Sequence, residues 1–173
     1  MTSYVIGIGS NLGDRELALA LAVRVLSLKP GVQLKSLSRI YQTPPSGGVA
    51  RGNFLNAAVL IEWSRDPKSL LNLCKEIEVT VGRKPSSRWG DRRIDLDILW
   101  SDSGSFVDDS LCIPHSSLNS RSFALYPLLD LVPNAASEDN ESYRHVAEKM
   151  VSPSVVGVLA QPPVRVMKGC RRG

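Results

Sequence analysis

The segment from Ile94 to Ile98 alternates strictly between apolar and acidic residues, Ile94, Leu96 and Ile98 against Asp95 and Asp97. A period of two marks a strand with one greasy face and one polar face, and an amphipathic helix patterns differently. Asp95 and Asp97 therefore share a face, roughly 6.5 to 7 Å apart along the strand. The fold has to bury one side of this strand and keep both carboxylates together on the other. Carboxylates at that spacing suit hard cations held between them and phosphate oxygens. Arg88, Arg92 and Arg93 stand just upstream. Guanidinium groups beside metal-binding carboxylates are the parts a phosphoryl-transfer site needs, because such catalysis is mainly positioning and charge neutralisation. Taken alone, a bare D-x-D with nearby arginines is more often an ordinary solvated strand face.

With 173 residues, 43% of them hydrophobic, the chain fits one domain able to bury roughly 70% of its unfolded surface. The net charge of +4 points to anionic partners, and nucleotides, RNA or an acidic lipid surface would each satisfy so mild an excess. Cys74, Cys112 and Cys170 are odd in number and lack C-x-x-C spacing, which argues against a disulfide framework or a zinc site and for a reducing compartment. The opening MTSYVIGIGS has no basic stretch, and its apolar run is broken by Gly7 and Gly9. Neither a secretory signal nor a membrane span is expected, and a cytoplasmic protein is inferred.

Along the chain, Ser3 to Gly9 reads as a buried strand, followed by turn residues and Asp14 as a helix cap. A helix to about Leu28 places Leu17, Leu21, Val25 and Leu28 at helical spacing. Val32 to Thr43 reads as one strand with room for a bulge, ended by Pro44 and Pro45. Asn53 to Trp63 is the next strand, after a Gly-rich loop. A second helix over Pro67 to Val81 closes at Gly82. Asp95 to Trp100 completes a β, α, β, β, α, β order, an α+β ferredoxin-like plan with an antiparallel sheet and both helices on one face. Beyond it, an edge strand over Leu111 to Pro114 and helices over Arg121 to Leu131 and Glu141 to Met150 are expected. The main domain is assigned to residues 1–150 and an extension of unassigned role to 151–173, where the Val155 to Leu159 run reads equally as docked or floppy.

Two nucleotide motifs fail. Gly7 to Gly13 lacks the G-x-G-x-x-G spacing, so a tight strand-to-helix turn accounts for Gly9 and Gly13, and no G-x-x-x-x-G-K-[ST] occurs.

The run RWGDRRIDLDIL closely resembles the signature of the 6-hydroxymethyl-7,8-dihydropterin pyrophosphokinase family. Five further blocks agree in the same order: YVIGIGSNLGD, IYQTPP, FLNAAV, EIEVTVGR and IPHSSLNSRSFALYPL. The resemblance implies a ferredoxin-like enzyme that moves the pyrophosphoryl group of ATP to the hydroxymethyl arm of a reduced pterin, releasing AMP, in folate biosynthesis. It implies two Mg²⁺ ions, bound with ATP by Asp95 and Asp97, with Asp97 also a candidate proton acceptor. Arg83 and Arg92 match arginines that stabilise the transferring charge. Glu78, Arg88, Trp89, Arg92, Ile98, His115 and Arg121 match the ATP site. Thr43, Pro44, Pro45, Phe54, Asn56, Asp95 and Phe123 match the pterin site, with the two phenylalanines sandwiching the ring and Asn56 reading its polar edge. The loops Ser46 to Gly52 and Arg83 to Asp91 match lids that exclude water.

Three departures stand out. Asp91 takes a position usually held by proline or a small residue, where its carboxylate is placed to compete with phosphate for Arg92. Arg51 replaces an expected glutamine pattern, and the tail beyond Met150 has no match. The expected partners are ATP and the reduced pterin, with no nucleic acid or membrane, and a monomer is favoured. Two other readings share the plan. An RNA-recognition module lacks its row of exposed rings here, since aromatics are only 6% of the chain. A nucleotidyl transferase with a D-x-D on a similar sheet would release pyrophosphate instead of AMP.

Overall fold

In the computed structural model, which describes residues 1–45, 52–83, 91–137 and 139–159, the chain begins with β1 (Thr2–Ser10), α1 (Arg15–Ser27), β2 (Val32–Leu37) and β3 (Arg39–Thr43). It continues with β4 (Phe54–Trp63), α2 (Pro67–Val81), β5 (Asp95–Ser101), β6 (Phe106–Val107) and β7 (Cys112–Ile113). After a 3-10 turn come α3 (Ser122–Leu131), α4 (Tyr143–Glu148) and β8 (Ser154–Val158).

The sheet has the order β5-β1-β4-β3-β8, with β2 beside the far half of β4, and every pairing in it is antiparallel. This is the ferredoxin-like α+β plan, extended by β8. Alternation along the strands sends Ile6, Ile8, Leu96 and Ile98 to one face, where they meet Leu19, Val23 and Leu26 of α1 and Leu70 and Ile77 of α2. The other face has its own cover. Val5, Ala58 and Leu99 pack against Leu125 and Leu128 of α3, with Tyr143 and Ala147 of α4 behind them. Asp130 ties α3 to the sheet by accepting from the Tyr41 hydroxyl at 2.9 Å, from the Arg39 backbone N–H at 3.0 Å and from the Arg39 guanidinium.

Local chemistry explains the helix ends. Asp14 accepts from the Leu17 N–H, and Asp66 accepts from the Ser69 N–H one residue before Pro67. Gly82 closes α2 at φ 102°, a left-handed position that costs a residue with a Cβ far more.

Four sequence expectations need correction. The buried face of α1 is Ala18, Leu19, Ala22, Val23 and Leu26, while Leu17 and Leu28 are exposed. Alanine at 18 and 22 lets the helix lie close on the sheet, a fit that spacing of large residues does not reveal. The span from Val32 to Thr43 is two strands broken at Ser38. Ser38 carries the ladder across that break: its N–H donates to the Ala58 carbonyl at 3.0 Å and its Oγ accepts from the Ala58 N–H at 2.7 Å. The segment at Leu111 to Pro114 pairs with Phe106–Val107 in a separate two-stranded ribbon and adds no edge to the main sheet. Gly9 belongs to β1, not to the turn that follows. The run after Pro153 is docked, since β8 pairs with β3 and Leu159 is buried. No described helix is long and apolar enough to cross a membrane.

Ser38 is 1% exposed, so Ser38→Ala strands the Ala58 N–H in the core. The expected loss is about 1–3 kcal/mol, seen in urea unfolding as a lower midpoint at unchanged slope.

Candidate active site

The cleft lies where α3 stops covering the sheet. Gly9 and Gly7 of β1 face Asp95 and Asp97 of β5 in register, and Asn56 and Ala58 of β4 on the opposite side. Residues in register across antiparallel strands point to the same side, so both carboxylates, both glycines and Asn56 share the open face. A Cβ on Gly9 would stand 3.0 Å from Asn56 Oδ1, and one on Gly7 would stand 3.0 Å from Leu99 Cδ1. The two glycines line the floor of a cleft that opens to solvent.

At one end of this cleft the carboxylates meet basic side chains. Asp95 Oδ1 pairs with Arg83 Nη1 at 2.6 Å, and its Oδ2 pairs with Arg92 Nη1. Arg83 Nη1 also contacts Glu78 Oε1 at 2.5 Å, so one guanidinium bridges two acids. Asp97 takes part in no ion pair among the described residues. Burial, then the neighbouring Asp95 charge, raises its carboxyl above the ordinary range, against the pull of His115, Arg121 and Arg92. Arg121 ends the approach to α3 and lies over the Phe123 ring, 5.7 Å from its centroid. Across β1 from the carboxylates, Phe54 and Asn56 of β4 and Thr43 of β3 line the same cleft, together with Pro44 and with Phe123 of α3. Asn56 Nδ2 donates to Thr43 Oγ1 at 2.9 Å, which fixes the amide and turns its Oδ1 toward the gap left by Gly9.

Of the residues singled out from sequence, Thr43, Pro44, Phe54, Asn56, Arg92, Asp95, Asp97, Arg121 and Phe123 line this one cleft. Others stand elsewhere. Ile98 is 2% exposed in the core beneath α1 and α2, because the alternation that presents Asp97 turns Ile98 away. Glu78 does not line the cleft: it is buried, and its Oε1 accepts from the Leu96 N–H at 2.7 Å, on the edge of β5 that β1 does not use. Pro45 sits just outside. His115 donates its N–H to the Leu99 carbonyl at 2.9 Å, and its Nδ1 accepts from the Ser117 N–H at 3.1 Å. Arg88, Trp89, Arg51 and most of both expected lids lie outside the described residues.

The Asp91 carboxylate accepts from Asn11 Nδ2 at 2.7 Å, and Asp95 pairs with the Arg92 guanidinium. Asn11, Gly7, Gly9 and Leu99 were not picked out from sequence as site residues. Glycines two apart inside a strand pattern were the available signal, because they mark where something must come close to the backbone.

No group of three or more His, Cys, Asp or Glu capable of holding a metal occurs among the described residues. Two hard oxygen donors sharing a cleft, one of them unpaired and disfavoured as an anion, still fit a divalent ion whose remaining ligands come from substrate phosphates.

A ferredoxin-like α+β domain with a carboxylate pair, nearby guanidiniums and two phenylalanines in one cleft has the parts of a group-transfer enzyme for phosphorylated substrates. The family model described as 7,8-dihydro-6-hydroxymethylpterin-pyrophosphokinase (HPPK) matches residues 5–133, and the chain belongs to this family. It is 40% identical over 134 residues to the 2-amino-4-hydroxy-6-hydroxymethyldihydropteridine pyrophosphokinase of Methylorubrum extorquens, covering 78% of this chain and 85% of that one. The enzyme of the same name from Bacillus subtilis is 39% identical over 133 residues, 77% of this chain and 80% of that one. Among solved structures, Plasmodium falciparum HPPK-DHPS with pteroate matches the fold with a TM-score of 0.65 at 17% identity, over 86% of this chain and 42% of that chain.

Burial pushes the Glu78 carboxyl up, to about 7, against the Leu96 N–H and Arg83, while Asp95 adds to the rise. A carboxyl raised on folding binds more protons folded than unfolded, so its stability contribution is greatest at low pH and declines as pH climbs from about 4.5 to about 7. Glu78→Gln keeps an acceptor for Leu96 and removes the titration. Denaturant unfolding at successive pH values should show the variant gaining on the parent across that window, and a flat difference would refute the proton-holding carboxyl.

Proposed function

We propose that this chain transfers the pyrophosphoryl group of ATP to the hydroxymethyl group of 6-hydroxymethyl-7,8-dihydropterin, releasing AMP, in an Mg²⁺-dependent reaction of folate biosynthesis. One observation carries the mechanistic reading: Asp95 and Asp97 line the same cleft as Phe54, Asn56 and Phe123. Phosphate chemistry and a flat heterocycle are thereby brought into a single cavity, as an attack by the ring's alcohol on a phosphorus atom requires.

Each group has a task. Asp95 and Asp97 would hold two Mg²⁺ ions together with the ATP phosphates, and the ions would supply charge neutralisation on phosphate oxygens and a lowered pKa for the attacking alcohol. Arg92 and Arg121 line the cleft, and their charges act on Asp97, so they would place positive charge where the transferring group gains negative charge. Arg83, now shared by Glu78 and Asp95, stands beside them. Phe54 and Phe123 stack on the pterin, and Asn56, oriented by Thr43, reads the polar ring edge. Asp97 would also be the candidate acceptor of the alcohol proton.

An RNA-binding sheet would present rings across an open face. Here α3 packs over Val5, Ala58 and Leu99, and the cleft beside it is lined by Asp95 and Asp97 as well as by Phe54 and Phe123.

The test is incubation with ATP, Mg²⁺ and the reduced pterin alcohol, with nucleotides then separated. AMP should form only with the pterin present, chelation of Mg²⁺ should stop it, and Asp97→Ala should lower kcat by at least about 100-fold. Release of ADP or pyrophosphate, or full turnover in Asp97→Ala, would overturn the assignment.

A further inference from the structure

Arg92 lies three residues before β5, at the point where the chain arrives from residues 84–90, so no strand ladder holds its backbone. A single residue does that work instead. Asn11, 8% exposed in the turn after β1, donates its backbone N–H to the Arg92 carbonyl at 3.1 Å, and its Oδ1 accepts from the Arg92 N–H at 2.7 Å. Ser10 Oγ adds a bond to the Arg93 carbonyl at 2.7 Å. Both polar groups of the Arg92 backbone are thus satisfied by one side chain and its own peptide.

The arrangement works for one orientation of the amide only. The two ends of an asparagine side chain have nearly the same shape but opposite hydrogen-bonding character. Flipped, it would set its NH₂ group against the Arg92 N–H. The carboxylate of Asp91 accepts from Asn11 Nδ2 at 2.7 Å, and an ionised carboxylate can only accept. It therefore admits the NH₂ end and leaves Oδ1 for Arg92. The guanidinium at the far end of Arg92 then reaches Asp95 Oδ2 across the mouth of the cleft.

We propose that Asp91 is a positioning residue for Arg92, acting through the side-chain amide of Asn11. The inference rests on the functional reading above for why the placement of Arg92 matters, since a charged group displaced by about 1 Å can cost about 100-fold in rate. It also reverses the role expected for Asp91 from sequence. A carboxylate next to an arginine in the chain looks like a competitor for its charge, whereas here it secures the backbone on which that charge is mounted.

Three variants, Asp91→Ala, Asp91→Asn and Arg92→Ala, and the double variant Asp91→Ala with Arg92→Ala test this. Amide hydrogen exchange needs no turnover: Asp91→Ala should speed exchange at the Arg92 N–H by about 10-fold or more, while Asp91→Asn, which keeps an oxygen acceptor for Asn11, should stay within about 3-fold of the parent. In the AMP-release assay, Asp91→Ala should lower kcat by about 10-fold with KM for both substrates nearly unchanged, and Asp91→Asn should restore most of it. On the Arg92→Ala background Asp91→Ala should cost nothing further, because its effect passes through Arg92. Unchanged exchange at Arg92, equal effects of the alanine and asparagine variants, or a full penalty persisting without Arg92 would each overturn the proposal. If the parent makes no pterin-dependent AMP, the enzymatic reading fails, and the exchange measurement alone decides whether Asp91 sets the Arg92 backbone.

Discussion

Keeping two carboxylates side by side, partly buried, at the edge of a sheet is the constraint around which the rest of the site is arranged. Burial and the neighbouring charge both oppose ionisation of Asp97. Asp95 is compensated on both oxygens, by Arg83 and by Arg92, and Arg83 is anchored in turn by Glu78. Glu78 also supplies the acceptor that the outward-facing N–H of Leu96 would otherwise lack. The end of α2, the strand edge and the carboxylate pair are therefore one electrostatic unit. Such a chain of alternating charge favours an incoming cation and an incoming phosphate together, because each relieves what the other would disturb.

The cleft itself exists through incomplete coverage. α3 buries Val5, Ala58 and Leu99 and then ends near Phe123 and Ala124, leaving the Gly7 and Gly9 half of the sheet open. Glycines in a strand sacrifice packing and backbone entropy, and here Gly7 leaves room for Leu99 and Gly9 leaves Asn56 Oδ1 uncovered. The anchor of α3 lies at its far end, where Asp130 grips Arg39 and Tyr41. The helix is held firmly away from the site and only borders it.

Legibility in the sequence followed the locality of the physics. Helix α2 reads correctly from end to end because its cap, Pro67, its apolar spacing and Gly82 all act within a turn of one another. The strand alternation placed Asp95 and Asp97 together, and by the same rule it turns the Ile98 side chain into the core. The buried face of α1 was misread because two alanines set the distance to the sheet, and small residues leave no mark in a search for large apolar ones. The break at Ser38 depends on a hydroxyl meeting Ala58, twenty residues away in the chain. The bond from Asn11 to Asp91 is equally invisible in the sequence, because the two residues are eighty positions apart.

Amino-acid order alone determined the strand and helix pattern, the shared face of the two acids and membership of a pterin pyrophosphokinase family, since periodicity and motif spacing are local properties that survive without a fold. Only the tertiary structure decided that Asp95 holds both Arg83 and Arg92, that Glu78 accepts from the Leu96 N–H at the strand edge, and that Asp91 bonds the Asn11 amide that holds the Arg92 backbone. Those outcomes depend on hydrogen bonds a few ångströms long between residues far apart in sequence, and such distances are set when the sheet, the helices and the loops close on one another.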